Sequence, residues 1–298
     1  MIKYLSDRSK AFAAKISTRQ ISFVIILMLV VLIGFLLWRE RSLLAKADYT
    51  LNTTLVAFIF VGFIAQLVDG ALGMAYGVSC STLLLSFGVS PRIATSSVHI
   101  AEVFTTGVSG LSHMRFKNMD KHLFFRLVIT GVIGSVAGAY LISEVLDGSI
   151  IKPFVAAYLL LLGAIILLKG VKNKMKHNKR VRYAEILALF GGFLDAVGGG
   201  GWGPIVTSNL INQGKNPRET IGTVNTAEFF ISFFSTGVFL IFVGVQNWRI
   251  ILGLVIGGVI AAPIGAYFAS RVNRKTMMIL IGILIMLTSA YTIFKALI

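Results

Sequence analysis

The chain has 298 residues, 56% of them hydrophobic and only 13% charged, with a mean hydropathy of +0.85 and a formal net charge of +16. A soluble protein of this size carries about a quarter charged residues. A soluble fold is therefore excluded, and an integral membrane protein embedded in a lipid bilayer is what remains. The charge does not mark a nucleic-acid partner, because the basic residues cluster at the N-terminus and in short loops between apolar runs, as in cytoplasmic loops of membrane proteins.

Residues 1–52 form a basic N-terminus followed by the apolar run ISFVIILMLVVLIGFLLW (21–38). The run exceeds the hydrophobic core of a secretory signal, and Arg39-Glu40-Arg41 separates it from AKA at 45–47. It reads as a retained extra membrane anchor rather than a cleaved leader.

The rest of the chain repeats itself. A shift of 126 residues lays DGALGMAYG (69–77) on DAVGGGGWG (195–203), SFGVSPR (86–92) on NQGKNPR (212–218) and SSVHIAEVF (96–104) on GTVNTAEFF (222–230). Ten of the 34 positions from 69 to 102 are then identical. Such self-similarity sets the architecture: a first repeat at 53–169, a basic cytoplasmic linker at 170–182, and a second repeat at 183–298.

Loop charges orient the repeats. KGVKNKMKHNKRVR (169–182) and HMRFKNMDKH (113–122) are basic and belong in the cytoplasm, whereas SEVLDGSIIK (143–152) is slightly acidic. Their mates reverse the bias: VGVQNWR (243–249) holds one arginine and SRVNRK (270–275) is basic. The expectation is an all-α polytopic membrane protein. It has two inverted-topology five-segment repeats plus the extra N-terminal span, an inner cell membrane location, a cytoplasmic N-terminus and an external C-terminus.

Within this plan the stretch FLDAVGGGGWGP (193–204) is odd, because it sets a carboxylate and four glycines inside apolar sequence. Segments 183–195 and 201–213 are too short to span, since thirteen helical residues reach only ~20 Å against ~30 Å of hydrocarbon. They read as half-depth helices meeting at DAVGGGG, with VDGALGM (68–74) as the first-half turn. Non-helical backbone at membrane depth is tolerated where protein or water covers it, and a helix starting near Trp202 would aim its N–H groups at the turn. Gly73, Gly199, Gly200, Gly201 and Trp202 are therefore candidate anion-binding positions. Asp69 and Asp195 are expected to cap the following helices or carry a proton.

A second constellation lies on the next span. Thr95, His99, Glu102 and Thr106 share one helical face, and the mate face carries Asn225, Glu228 and Ser232. Intramembrane ionisable groups are candidates by default. Ser96, Ser97, His99, Thr223 and Asn225 join the substrate-binding set, and Glu102 and Glu228 are proton-coupling or structural carboxylates. Arg92 and Arg218 read as interfacial anchors, Cys80 as a buried small residue, and His113, His122 and His177 as solvated loop residues. No H-E-x-x-H, Cys/His cluster, G-x-S-x-G or Walker loop is present, so no enzyme, cofactor or metal site is expected.

At these residues the chain resembles the TauE/SafE family of membrane anion transporters, over roughly residues 53–296. The resemblance rests on the turns after Asp69 and Asp195, the S-P-R and N-P-R helix starts, and the paired SSVHIAEVF and GTVNTAEFF segments. The first turn has fewer glycines than the family's usual form, and the N-terminal span lies outside its core pattern. The resemblance implies export of sulfite or a related small inorganic, organosulfur or organosulfonate anion by alternating access. A cation or neutral-solute carrier using the four carboxylates is the rival reading within transport, alongside a channel and a non-transporting receptor or assembly subunit.

Overall fold

The computed structural model describes residues 16–42, 53–74, 76–172, 183–269, 271 and 273–297, and every element among them is helical. They are α1 (Thr18–Arg39), α2 (Thr53–Leu72), α3 (Tyr76–Ser86), α4 (Pro91–Arg115), α5 (Lys121–Tyr140), α6 (Gly148–Lys172), α7 (Ala184–Gly198), α8 (Ser208–Asn212), α9 (Pro217–Phe242), α10 (Trp248–Phe268) and α11 (Arg274–Leu297). Wide i→i+5 turns extend α5 over Leu141–Val145 and precede α8 at Gly203–Thr207.

Local chemistry sets many of the boundaries. Ser17 and Gln20 form a reciprocal capping box at α1. Proline fills the first position of α4 and of α9, where its missing N–H costs nothing, and Ser90 and Asn216 cap these helices. Asp120 caps α5 by accepting the Leu123 N–H at 3.1 Å.

Seven of the described helices are long and apolar enough to cross a membrane: α1, α2, α5 with its extension, α6, α9, α10 and α11. Each also turns large apolar side chains outward, as lipid requires; Ile241 is 71% exposed and Trp38 68%. The 25-residue α4 is polar by comparison and buries most of its length, because α1, α3, α9 and α10 enclose it. By length, α3, α7 and α8 are too short to span, as expected, but α2 with 20 residues is not. The half-depth reading is therefore corrected for α2. An apolar approach from Thr53 gives it full length, although it still ends at the predicted turn.

Packing is reciprocal between sequence mates. α2 packs on α10 and α5 on α7; α4 also packs on α10 and α9 on α5; α4 meets α9 and α6 meets α11. The backbone repeats too. Gly73 and Gly199 both have φ +67°, Gly88 and Gly214 both +91°, and Lys117 at +57° answers Gly244 at +71° one register later. α4 and α9 run antiparallel. At one end Arg218, opening α9, donates to the Phe116 carbonyl at 3.1 Å and to Asn118, both just past α4. At the other, Arg92 of α4 donates to the Ile142 carbonyl at 3.3 Å and shares a cavity of about 460 Å³ with Phe242 and Val243. The arginines thus tie helix ends together. α1 seats Ile21, Ile25 and Leu32 and leans on α4, and Lys121 Nζ donates to the Ile16 carbonyl at 2.9 Å.

Candidate functional site

Each repeat is broken at its glycines in the same way. Gly73 N–H returns to the Asp69 carbonyl at 2.5 Å, and Gly199 N–H to the Asp195 carbonyl at 2.7 Å. The left-handed φ at both glycines turns the chain out of helix, a conformation that a side chain resists. The aspartate carboxylates then reach forward seven residues. Asp69 Oδ1 accepts the Tyr76 N–H at 3.4 Å, and Asp195 Oδ1 accepts the Trp202 N–H at 3.0 Å.

The two breaks cross. A Cβ at Gly77 would lie 2.9 Å from the Gly199 carbonyl oxygen and 3.1 Å from Gly200 Cα, and one at Gly203 would run into Gly73 and Met74. Serine and threonine stitch the crossing. Ser81 Oγ donates to the Gly199 carbonyl at 2.5 Å, and Thr207 Oγ1 to the Gly73 carbonyl at 2.6 Å. The glycines therefore permit backbone-to-backbone approach. The expectation that Gly73, Gly199 and Trp202 offer free N–H groups is corrected, because all three are bonded within their own break. The Gly200 and Gly201 amides are the ones not so used. Trp202 is a core anchor rather than a ligand: it is fully buried, its indole N–H donates to the Val224 carbonyl at 3.3 Å, and Gly131 makes room for its ring.

His99, Glu102 and Asp195 converge beside this crossing. Each offers one ligand atom, and the three atoms lie within 4.8 Å of one another. His99 Nε2 faces Asp195 Oδ2 at 3.3 Å, while Nδ1 meets the Thr95 carbonyl at 2.9 Å. Thr95 in turn donates its hydroxyl to the Ala196 carbonyl at 2.8 Å, fastening α4 to the second break. Glu102 Oε2 accepts from Ser232 at 3.2 Å. None of the three is more than 2% exposed. Glu228 is also buried, and its Oε2 has no hydrogen-bond partner.

Other predicted residues stand elsewhere. Ser96 turns back to the Ile93 carbonyl, and Ser97 is buried on the same helix. Thr223 holds the loop before α5, accepting the Asp120 N–H at 2.8 Å and donating to the Glu219 carbonyl at 2.6 Å. Asn225 faces Ser109 at 3.3 Å and His113 Nε2 at 3.4 Å.

His113 is a correction. It is not solvated but fully buried, with Asn118 at 3.3 Å on its other ring nitrogen. Its sequence mate is Phe239, and the mate of Asn225 is His99. The contact His113–Asn225 is thus the counterpart of His99 against Phe239, whose rings lie 5.3 Å apart. Each of these two α4–α9 contacts carries one histidine, both times from α4. His177 lies outside the described residues. Cys80 is buried and unbridged.

Sequence reasoning missed Ser81, Thr207 and Tyr158. The first two were detectable as a hydroxyl pair at the repeat spacing. Tyr158 packs its ring on Gly198 and carries a buried hydroxyl with no hydrogen-bond partner, and no local pattern announces it.

The family model "Sulfite exporter TauE/SafE" matches residues 58–292. The chain is similar to the probable membrane transporter protein YtnM of Bacillus subtilis (strain 168), 44% identical over 248 residues, covering 80% of this chain and 82% of the relative. It is more distantly similar to the probable membrane transporter protein YunE of the same organism, 20% identical over 267 residues, covering 80% of this chain and 97% of the relative. No solved structure matches it significantly. Seven apolar helices of spanning length and a family match over most of the chain agree: the chain is a multi-pass membrane transporter and belongs to the sulfite exporter TauE/SafE family.

Proposed function

We propose that this transporter exports sulfite or a related small sulfur-containing or organosulfonate anion by alternating access. The observation that carries the reading is the crossing of the two broken helices, with His99, Asp195 and Glu102 buried beside it. Broken segments at matching places in two repeats are where secondary transporters bind substrate. The Gly200 and Gly201 amides with His99 form the anion-facing side. The reciprocal packing and the antiparallel α4 and α9 support two inverted halves that rock against one another, and the basic loops at 113–122 and 169–182 favour a cytoplasmic N-terminus and an external C-terminus. Glu102 and Glu228 supply the charge that lets a cation, a proton in the simplest case, move in exchange.

Flux from proteoliposomes tests this. Efflux of labelled sulfite that saturates, and that short organosulfonates but not chloride inhibit, is the expected result. Equal inhibition by all anions would remove the sulfur selectivity, and no anion flux at all would remove the anion.

The grouping of His99, Glu102 and Asp195 favours one second reading, a cation as cargo. Competition of cations against anions in the same vesicles separates the two.

A further inference from the structure

An anion site lined by carboxylates needs positive charge, and the hydrogen bonds around His99, Glu102 and Asp195 indicate where it sits. In each residue one polar atom is fixed and the other is not. His99 Nδ1 lies on the Thr95 carbonyl, an acceptor, so Nδ1 carries a proton and Nε2 is the nitrogen left to take up a second proton or a metal ion. Asp195 Oδ1 is held by the Trp202 N–H, and Glu102 Oε2 by the Ser232 hydroxyl. His99 Nε2, Asp195 Oδ2 and Glu102 Oε1 are buried without a hydrogen-bond partner. Nε2 faces Asp195 Oδ2 at 3.3 Å, so one added cation, a proton on Nε2 or a metal ion, has to join the imidazole to the two carboxylates at membrane depth.

The surroundings are those of a metal centre. A metal-bound imidazole orders its ring by donating the other N–H to a carbonyl or carboxylate, and ligating carboxylates are likewise held by outer hydrogen bonds. One nitrogen and two carboxylate oxygens suit first-row divalent ions, and three protein ligands leave a coordination position open. The mate positions are Asn225, Glu228 and Asp69. There asparagine replaces the imidazole and turns to Ser109 and His113. The pseudo-symmetric counterpart thus lacks the nitrogen ligand, and the site is single.

We propose that His99, Glu102 and Asp195 bind one divalent first-row transition-metal ion, which stays with the protein and offers its open position to the transported oxyanion. The second half of this statement rests on the anion reading above; the first does not.

The full chain, purified in detergent and stripped with a chelator, is dialysed against Zn²⁺ or Co²⁺. One ion per chain is expected, with affinity at least tenfold lower in the near-isosteric Glu102→Gln and Asp195→Asn variants and in His99→Gln. The mate variant Glu228→Gln is expected to keep it. Gel filtration and thermal melts establish that each variant is folded. The Co²⁺ absorption spectrum needs no variant: intense ligand-field bands of a low-coordinate site support the proposal. A spectrum of hydrated cobalt, or equal binding by His99→Gln, overturns it and leaves a proton as the shared cation. Sulfite is expected to shift the Co²⁺ bands. An unshifted spectrum with retained binding overturns the oxyanion half, whereas sulfite flux failing with metal bound overturns the anion reading alone. Zn²⁺ carried across proteoliposomes would overturn a resident ion and make the metal the cargo.

Discussion

Ser81 and Thr207 stand 126 positions apart and perform the same task on opposite breaks, each donating its hydroxyl to the carbonyl of the other repeat's left-handed glycine. The crossing is thus held by two bonds that neither half could make alone. Loss of either leaves a carbonyl without its side-chain donor in a buried place. Ser81→Ala and Thr207→Val are each expected to lower stability by about 0.6–2 kcal/mol. Thermal melts in detergent measure this, and unchanged midpoints would show that the carbonyls find other donors.

Glycine substitutions divide sharply. A methyl at Gly77 would sit 2.9 Å from the Gly199 carbonyl oxygen and 3.1 Å from Gly200 Cα, both backbone atoms of the crossing. Gly77→Ala is expected to abolish transport and lower the yield of folded protein. Gly237 has nothing within 4 Å of its would-be Cβ, so Gly237→Ala should be neutral or stabilising by up to about 1 kcal/mol. Comparable losses in both variants would refute the crossing geometry.

The paired carboxylates make a third case. The double variant Glu102→Gln, Glu228→Gln is expected to lose sulfite flux at every pH while staying folded. Full flux at every pH would remove these residues from the mechanism.

Outside the membrane, Asp120 gives a pH prediction. Burial alone would push its carboxyl up, but the Lys215 ammonium at 2.8 Å and the Leu123 N–H hold it below the ordinary carboxylate range. A depressed folded-state pKa adds stability above the unfolded value, near ~3.9, and that stability disappears as pH falls through the folded one. Asp120→Asn should therefore melt lower than the parent at neutral pH, with the gap closing below about pH 4. A gap independent of pH would mean that the carboxylate charge is not what Asp120 contributes, and no gap at all would leave it only the capping role that asparagine shares.

The features legible in the sequence were those duplicated in it. The breaks, the proline starts of α4 and α9 and the mated helix boundaries follow from backbone duties that the repeat states twice, and Gly73 and Gly199 even share one φ. What the sequence hid depends on pairings across long separations. Asp195 meets His99 only because Thr95 ties α4 to the second break. His113 sits in a stretch that reads as a basic loop, yet α9 brings Asn225 over it. The Trp202 N–H is taken by Asp195 seven residues back, a partner that only the left-handed turn at Gly199 brings within reach.

The exchange of His99–Phe239 for Asn225–His113 has one more consequence. A dimer of two first halves would carry four histidines at these contacts, and a dimer of two second halves none; the fused chain alone has one at each, and the two differ in their neighbours. If the halves rock as proposed, opening toward one side of the membrane would break a different set of polar contacts from opening toward the other. Two halves that share a backbone plan have thus diverged in the polar contacts that join α4 to α9.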